Sequence, residues 1–292
     1  MRVHLIDGTY ELFRQNYGRT GRDDPRPYAA TIGVLGSTLA LLADGATHVG
    51  VASDHVIESF RNELWPTYKS SEGMPPELLA QIPLVEDALA AMGVTVWAMV
   101  EHEADDALGA AAAVADAESD VEQVLIVTPD KDLGQCVRGT RVVQFDRRRR
   151  EIIDHDAVVA KFGVEPASIP DYLGLVGDSS DGFPGLPGWG AKSAAAVLAR
   201  YGHLEEIPAQ AGQWDVPGLR GAEKLATTLR EQAELAVLFR HIATVVADPD
   251  VVHVGAVGAW RWSAPTDAFA AIAARLEAPE LVGRAAALAE RR

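Results

Sequence analysis

Residues 101–106 read EHEADD, and four of these positions are acids: Glu101, Glu103, Asp105 and Asp106. The alanine-rich run that follows reads as a helix, so the acids crowd its first turn. A helix N-terminus favours acids, but one or two suffice for capping. At ~4 Å and an effective dielectric of ~20, each like-charged pair costs roughly 4 kcal/mol. Something positive must offset that. Acids recur elsewhere in the same setting. RVHLID ends on Asp7, THVGVASD on Asp54, and QVLIVTPDKD on Asp130 and Asp132, while GDSSDG supplies Asp178 and Asp181. Singly, each acid has a bland reading, such as a turn opened by Asp7 before Gly8. Together, with no surplus of local cations, the acids at the ends of the β-branched runs are expected to form the oxygen donor set of a hard divalent cation such as Mg²⁺. Two such ions about 4 Å apart activate a water and stabilise the leaving oxygen of a phosphodiester. The acids are therefore expected to serve metal rather than packing.

The elements that would position them follow from periodicity. Apolar, β-branched runs alternate with helix-like stretches at 28–43, 76–92 and 104–118. Such alternation predicts an α/β fold with a parallel sheet covered by helices on both faces. In these sheets ligands bind beyond the carboxyl ends of the strands, where the acids fall. A hairpin is predicted over 141–153, with DRRRRE (146–151) as its solvated tip. Beyond it the chain becomes helical. GLPGWGAKS, followed by a strong helix, reads as a helix-hairpin-helix. Gly185, Gly188 and Gly190 would let a phosphate approach the backbone, and Lys192 sits in the first turn of the following helix. Residues 221–247 have amphipathic helical spacing and read as core; 250–292 read as a short strand and two helices without chemistry.

The chain has 292 residues and a formal net charge of −16, which argues against nucleic acid as a partner. An anion site built from backbone amides needs few basic side chains, which partly answers that objection. A lone cysteine, Cys136, excludes an internal disulfide framework. No long apolar stretch reads as a leader or a membrane span, so a cytoplasmic protein without membrane contact is expected.

With these residues in place, the chain resembles the flap endonuclease and 5′-to-3′ exonuclease family in its bacterial form. The motifs are LIDGTYELFR, ASD, EADD, TPDKDLGQCV and GDSSDGFPGLPGWGAKSA, in order over nearly the whole chain. The resemblance implies a PIN-like nuclease core over 1–164, including a helical arch at about 60–90, and a helix-hairpin-helix region over 165–292. It implies two or more Mg²⁺ or Mn²⁺ ions held by Asp7, Asp54, Glu103, Asp105, Asp106, Asp130, Asp132, Asp178 and Asp181. It also implies K⁺ at the hairpin, and DNA with a 5′ end, gap or flap as partner. Arg14 matches the basic position near the scissile phosphate, and Tyr68 and Lys69 the arch positions that reach the active site. Two departures stand out. Glu72 replaces an arch arginine and is expected at helical spacing from Lys69, and Gly182 replaces an asparagine as a loop detail. Two other readings are a PIN-type ribonuclease, which would not need residues 165–292, and a non-catalytic helix-hairpin-helix DNA-binding protein, which would not need every acid. A haloacid-type phosphatase is excluded because Leu5 stands where its nucleophilic aspartate belongs.

Overall fold

The computed structural model describes residues 1–18 and 26–291. In chain order the elements are β1 (Arg2–Asp7), α1 (Gly8–Tyr17), α2 (Ala29–Ala43), β2 (His48–Asp54), α3 (Arg61–Leu64), α4 (Pro76–Leu79), α5 (Ile82–Ala91), β3 (Thr95–Met99), α6 (Ala104–Ala117) and β4 (Gln123–Val127). Then follow β5 (Val142–Asp146), β6 (Glu151–Ile153), α7 (His155–Phe162), α8 (Ile169–Val176), α9 (Ala191–Tyr201), α10 (Ala222–Glu231), α11 (Ala233–Ala243), α12 (Ala268–Arg275) and α13 (Glu280–Ala289). Packing groups them into two compact units: Met1–Ile57, Ser71–Thr128 and Val246–Arg292 form one, Glu58–Ser70 and Pro129–Val245 the other.

In the first unit β1 pairs in parallel with β2 and β4, and β2 with β3, giving the order β3-β2-β1-β4. Val3, Leu5 and Ile6 of β1 and Val124, Ile126 and Val127 of β4 are buried, as parallel strands covered on both faces must be. The chain runs outward from β1 to β3, then returns through α6 to the other side of β1. That reversal places the switch point between β1 and β4, and Asp7 stands at its carboxyl end.

The structure differs from expectation in two stretches. The helix predicted over 76–92 is two helices, α4 and α5, because Pro83 near the start of α5 lacks the N–H that would reach back to Leu79. The strand predicted beyond residue 250 is absent among the described residues. Gly255 at φ +74° interrupts the valine run, and what remains is a 3₁₀ turn, Val257–Trp260, and one bridge between Arg261 and His48. This segment is packing machinery. The Trp97 and Trp260 rings meet edge-on at 5.3 Å, and both indole N–H groups donate to the Val254 carbonyl, at 3.1 and 2.8 Å.

In the second unit β5 and β6 form the expected antiparallel hairpin, with Arg148, Arg149 and Arg150 exposed at its tip. Its core gathers Leu173, Phe183, Trp189, Leu198 and Phe239. Phe239 stacks on Phe183 at 5.5 Å and takes Trp65 edge-on at 4.9 Å. Buried Arg61 donates to the carbonyls of Ile242 and Thr244, at 2.8 and 2.9 Å, which caps the C-terminus of α11. Over the stretch 60–90 the helices are short, and residues 65–75 are non-helical. Lys69 and Glu72 thus lack helical spacing. No helix among the described residues is long and apolar enough to cross a membrane.

Candidate metal centre and nucleic-acid interface

In the first unit the strand ends deliver acids as expected, but the acids divide their work. Asp7 is buried and caps α1, with Oδ1 accepting from Tyr10 N–H at 2.8 Å and Oδ2 from Thr128 Oγ1 at 3.1 Å. Asp54 Oδ1 accepts from Ala104 N–H at 2.7 Å, so a residue of β2 satisfies an orphan amide at the start of α6. Asp106 is fully buried. Its Oδ2 accepts from Glu103 N–H at 2.9 Å and its Oδ1 from Val246 N–H at 2.8 Å. The crowding at the start of α6 is thus met in part by backbone donors. Asp106 thus has a packing role as well, which its spacing did not announce. Glu103, in the N-cap position, is buried and Asp105 half-buried.

In the second unit Asp132, Asp178 and Asp181 offer carboxylate oxygens all within 4.8 Å of one another. Asp132 is buried, and its Oδ1 has no hydrogen-bond partner among the described residues. Burial, then the charges of Asp130 and Asp181, push its carboxyl well above the ordinary aspartate value. Asp130 is exposed and its Oδ1 accepts from Asp132 N–H at 3.0 Å. Asp178 is held by Ser180 N–H on Oδ1 at 2.8 Å and pairs through Oδ2 with the Lys131 ammonium. Burial alone would lower the lysine; the Asp178 hydrogen bond and the charges of Asp132, Asp178 and Asp130 hold it above its usual value. An all-carboxylate set with a donor-less buried oxygen fits a hard divalent cation.

The expected cations are both constrained. Arg14 grips buried Glu11 through two bonds, at 3.1 and 2.6 Å. Lys69 N–H donates to Asp181 O at 3.0 Å, which fastens the segment to the acidic loop. Its ammonium lies 5.8 Å from the centre of the Tyr68 ring, and Tyr68 itself is buried in the second unit's core.

The hairpin forms as predicted. Gly185 turns at φ +68° where a Cβ would overlap the backbone of Val176 and Gly177. Gly188 turns at φ +85°, and Gly190 is the extended N-cap of α9 with open space around it. Lys192 is exposed in the first turn of α9. Buried Trp189 keeps an indole N–H without a partner among the described residues.

The sequence model of the 5′-3′ exonuclease N-terminal resolvase-like domain matches residues 2–163, and that of the C-terminal SAM fold matches 164–265. The chain belongs to the 5′-3′ exonuclease family. Its relatives include DNA polymerase I of Mycobacterium leprae, 33% identical over 85% of this chain and 27% of that protein. The 5′-3′ exonuclease of Buchnera aphidicola is 31% identical over 85% of this chain and 82% of that protein. The chain thus spans about a quarter of the DNA polymerase I relatives. In fold it is similar to the T5 D15 protein (TM-score 0.67, 18% identical, 99% of each chain covered). The catalytic core of Rad2 is likewise similar (TM-score 0.59, 16% identical, 98% of this chain and 92% of that one). The family boundary at 163/164 cuts the chain by sequence, whereas residues 246–291 of this exonuclease-family chain pack with its first unit.

Sequence reasoning missed three supports. Glu11 holds Arg14, and was hidden as one polar residue in an amphipathic helix. Glu86 accepts from Ser53 Oγ at 2.6 Å and bonds His55 Nδ1 at 2.7 Å, which brackets Asp54 from a helix far along the chain. Lys131 stands in plain view between Asp130 and Asp132, but its pairing with Asp178 has no signature in the sequence.

Proposed function

We propose that the chain is a divalent-metal-dependent 5′ nuclease that hydrolyses phosphodiesters of DNA at 5′ ends, gaps or flaps, in the cytoplasm. One observation carries this reading: buried Asp132, with an oxygen lacking a donor, beside Asp178 and Asp181 in a chain of the exonuclease family. The names of its relatives support it. The Buchnera protein is called a 5′-3′ exonuclease, and a T5 D15 flap endonuclease structure holds DNA and metal ions.

Under this reading the residues that hold two or more Mg²⁺ or Mn²⁺ ions are Asp7, Asp54, Glu103, Asp105, Asp106, Asp130, Asp132, Asp178 and Asp181. Asp54 and Asp106 carry a second task, holding the start of α6 so that Glu103 and Asp105 keep their positions. A bound divalent ion polarises the phosphoryl oxygen and makes water a better nucleophile. Arg14, steadied by Glu11, and Lys69 meet the phosphate charge, while Tyr68 positions Lys69 from the core. Gly185, Gly188, Gly190 and Lys192 approach the duplex backbone, with K⁺ at the hairpin. Residues 1–164 would be the nuclease core and 165–292 the duplex-holding part. Incubation with a 5′-flap, a nicked duplex and single strands of DNA and RNA, each with Mg²⁺ or Mn²⁺, tests the reading. Cleavage set by a DNA 5′ end is expected; cleavage of RNA alone would overturn it.

A further inference from the structure

Lys131 lies between Asp130 and Asp132 in sequence, and its ammonium pairs with buried Asp178. Within the second unit the charges of Asp130, Asp132 and Asp178 act on it together. The lysine side chain remains one-third exposed (33%), so a path to water is open to it, whereas Asp178 is only 4% exposed. A lysine is a flexible four-carbon stem bearing one compact charge, well suited to occupy a site and to leave it.

We propose that Lys131 is a resident counter-ion of the second unit's acids, which a divalent cation must displace from Asp178 to bind there. The inference rests on the metal reading above and adds a property to it. In the metal-free protein the ammonium keeps Asp178 paired and limits repulsion among the acids. On loading, one ammonium exchanges for one divalent ion, so metal binding is weaker than the acids alone would make it. The lysine sets the concentration of free metal at which the second unit's acids fill. Released, its ammonium is free for solvent or for a phosphate.

The test is titration of Mn²⁺ alone, without DNA, into the parent, Lys131→Gln and Lys131→Arg by calorimetry. Removal of a nearby positive charge should tighten binding at the weakest site about tenfold in Lys131→Gln. Lys131→Arg, which keeps the charge, should bind like the parent. Equal or weaker binding by Lys131→Gln would overturn the proposal. If the parent itself binds no Mn²⁺, the metal reading falls and the inference with it. A second measurement needs no variant: acylation of the five lysines of the native chain, read by mass spectrometry with and without Mn²⁺. Mn²⁺ should raise the reactivity of Lys131 relative to the other lysines. An unchanged or lowered rate would contradict displacement.

Discussion

Gly182 and Thr67 are fastened to each other. Thr67 Oγ1 donates to the Gly182 carbonyl at 2.8 Å, Trp65 Nε1 donates to the same oxygen at 3.0 Å, and a Cβ on Gly182 would overlap the Thr67 carbonyl oxygen. Gly182 also turns at φ +80°, a conformation that L side chains rarely adopt. The departure from the family's asparagine is therefore enforced by this contact. Gly182→Asn should lower the melting temperature, by a cost of about 1–3 kcal/mol for strain and displacement. A parent-like melting curve would show that the two segments can separate freely.

Asp106→Asn and Asp132→Asn should move the metal-free melting temperature in opposite directions. Both oxygens of Asp106 accept from backbone N–H groups, so an amide turns a donor towards a donor at a buried position. That should destabilise by about 1–3 kcal/mol. Asp132→Asn removes a buried charge that faces Asp130, Asp181 and Asp178, and should raise the melting temperature in EDTA. Shifts of the same sign would contradict this division.

The gain from Asp132→Asn should depend on pH. The folded-state value of Asp132 lies above its ordinary value of 3.8. Its stabilising protonation is complete below the unfolded value and is lost as pH rises through the folded value. The variant's advantage over the metal-free parent should therefore be largest at neutral and alkaline pH and shrink towards acid. A difference in melting temperature that stays constant across the series would contradict a raised value.

Lys192→Ala should weaken duplex binding and reduce the slope of log affinity against log salt by roughly 0.9, one phosphate's worth. Fluorescence anisotropy across a salt series in Ca²⁺ or EDTA measures both. Unchanged affinity and slope would assign the hairpin to packing.

The sheet and the strand-end acids were legible because both signals are local: a β-branched run ending in Asp7, Asp54 or Asp130 announces itself within eight residues. The hairpin was legible for the same reason, through Gly185, Gly188 and Gly190. What sequence could not carry was long-range. Asp106 meets Val246, Asp54 meets Ala104, and Glu86 reaches Ser53 and His55, all through contacts that no spacing encodes. The segment over 60–90 misled because helical residue types at 76–92 concealed the break at Pro83. The tail misled because valine and tryptophan suggest a strand, while Gly255 breaks it.

Metal-dependent hydrolysis at DNA 5′ ends is tested most directly by one comparison. A 5′-labelled nicked duplex is incubated with the protein in Mn²⁺ and in excess EDTA, with Asp130→Asn run beside it. Asparagine keeps an amide oxygen to accept from Asp132 N–H, so this variant should fold. The expected result is release of labelled product in Mn²⁺, and none in EDTA or with Asp130→Asn. Full hydrolysis in excess EDTA would contradict it.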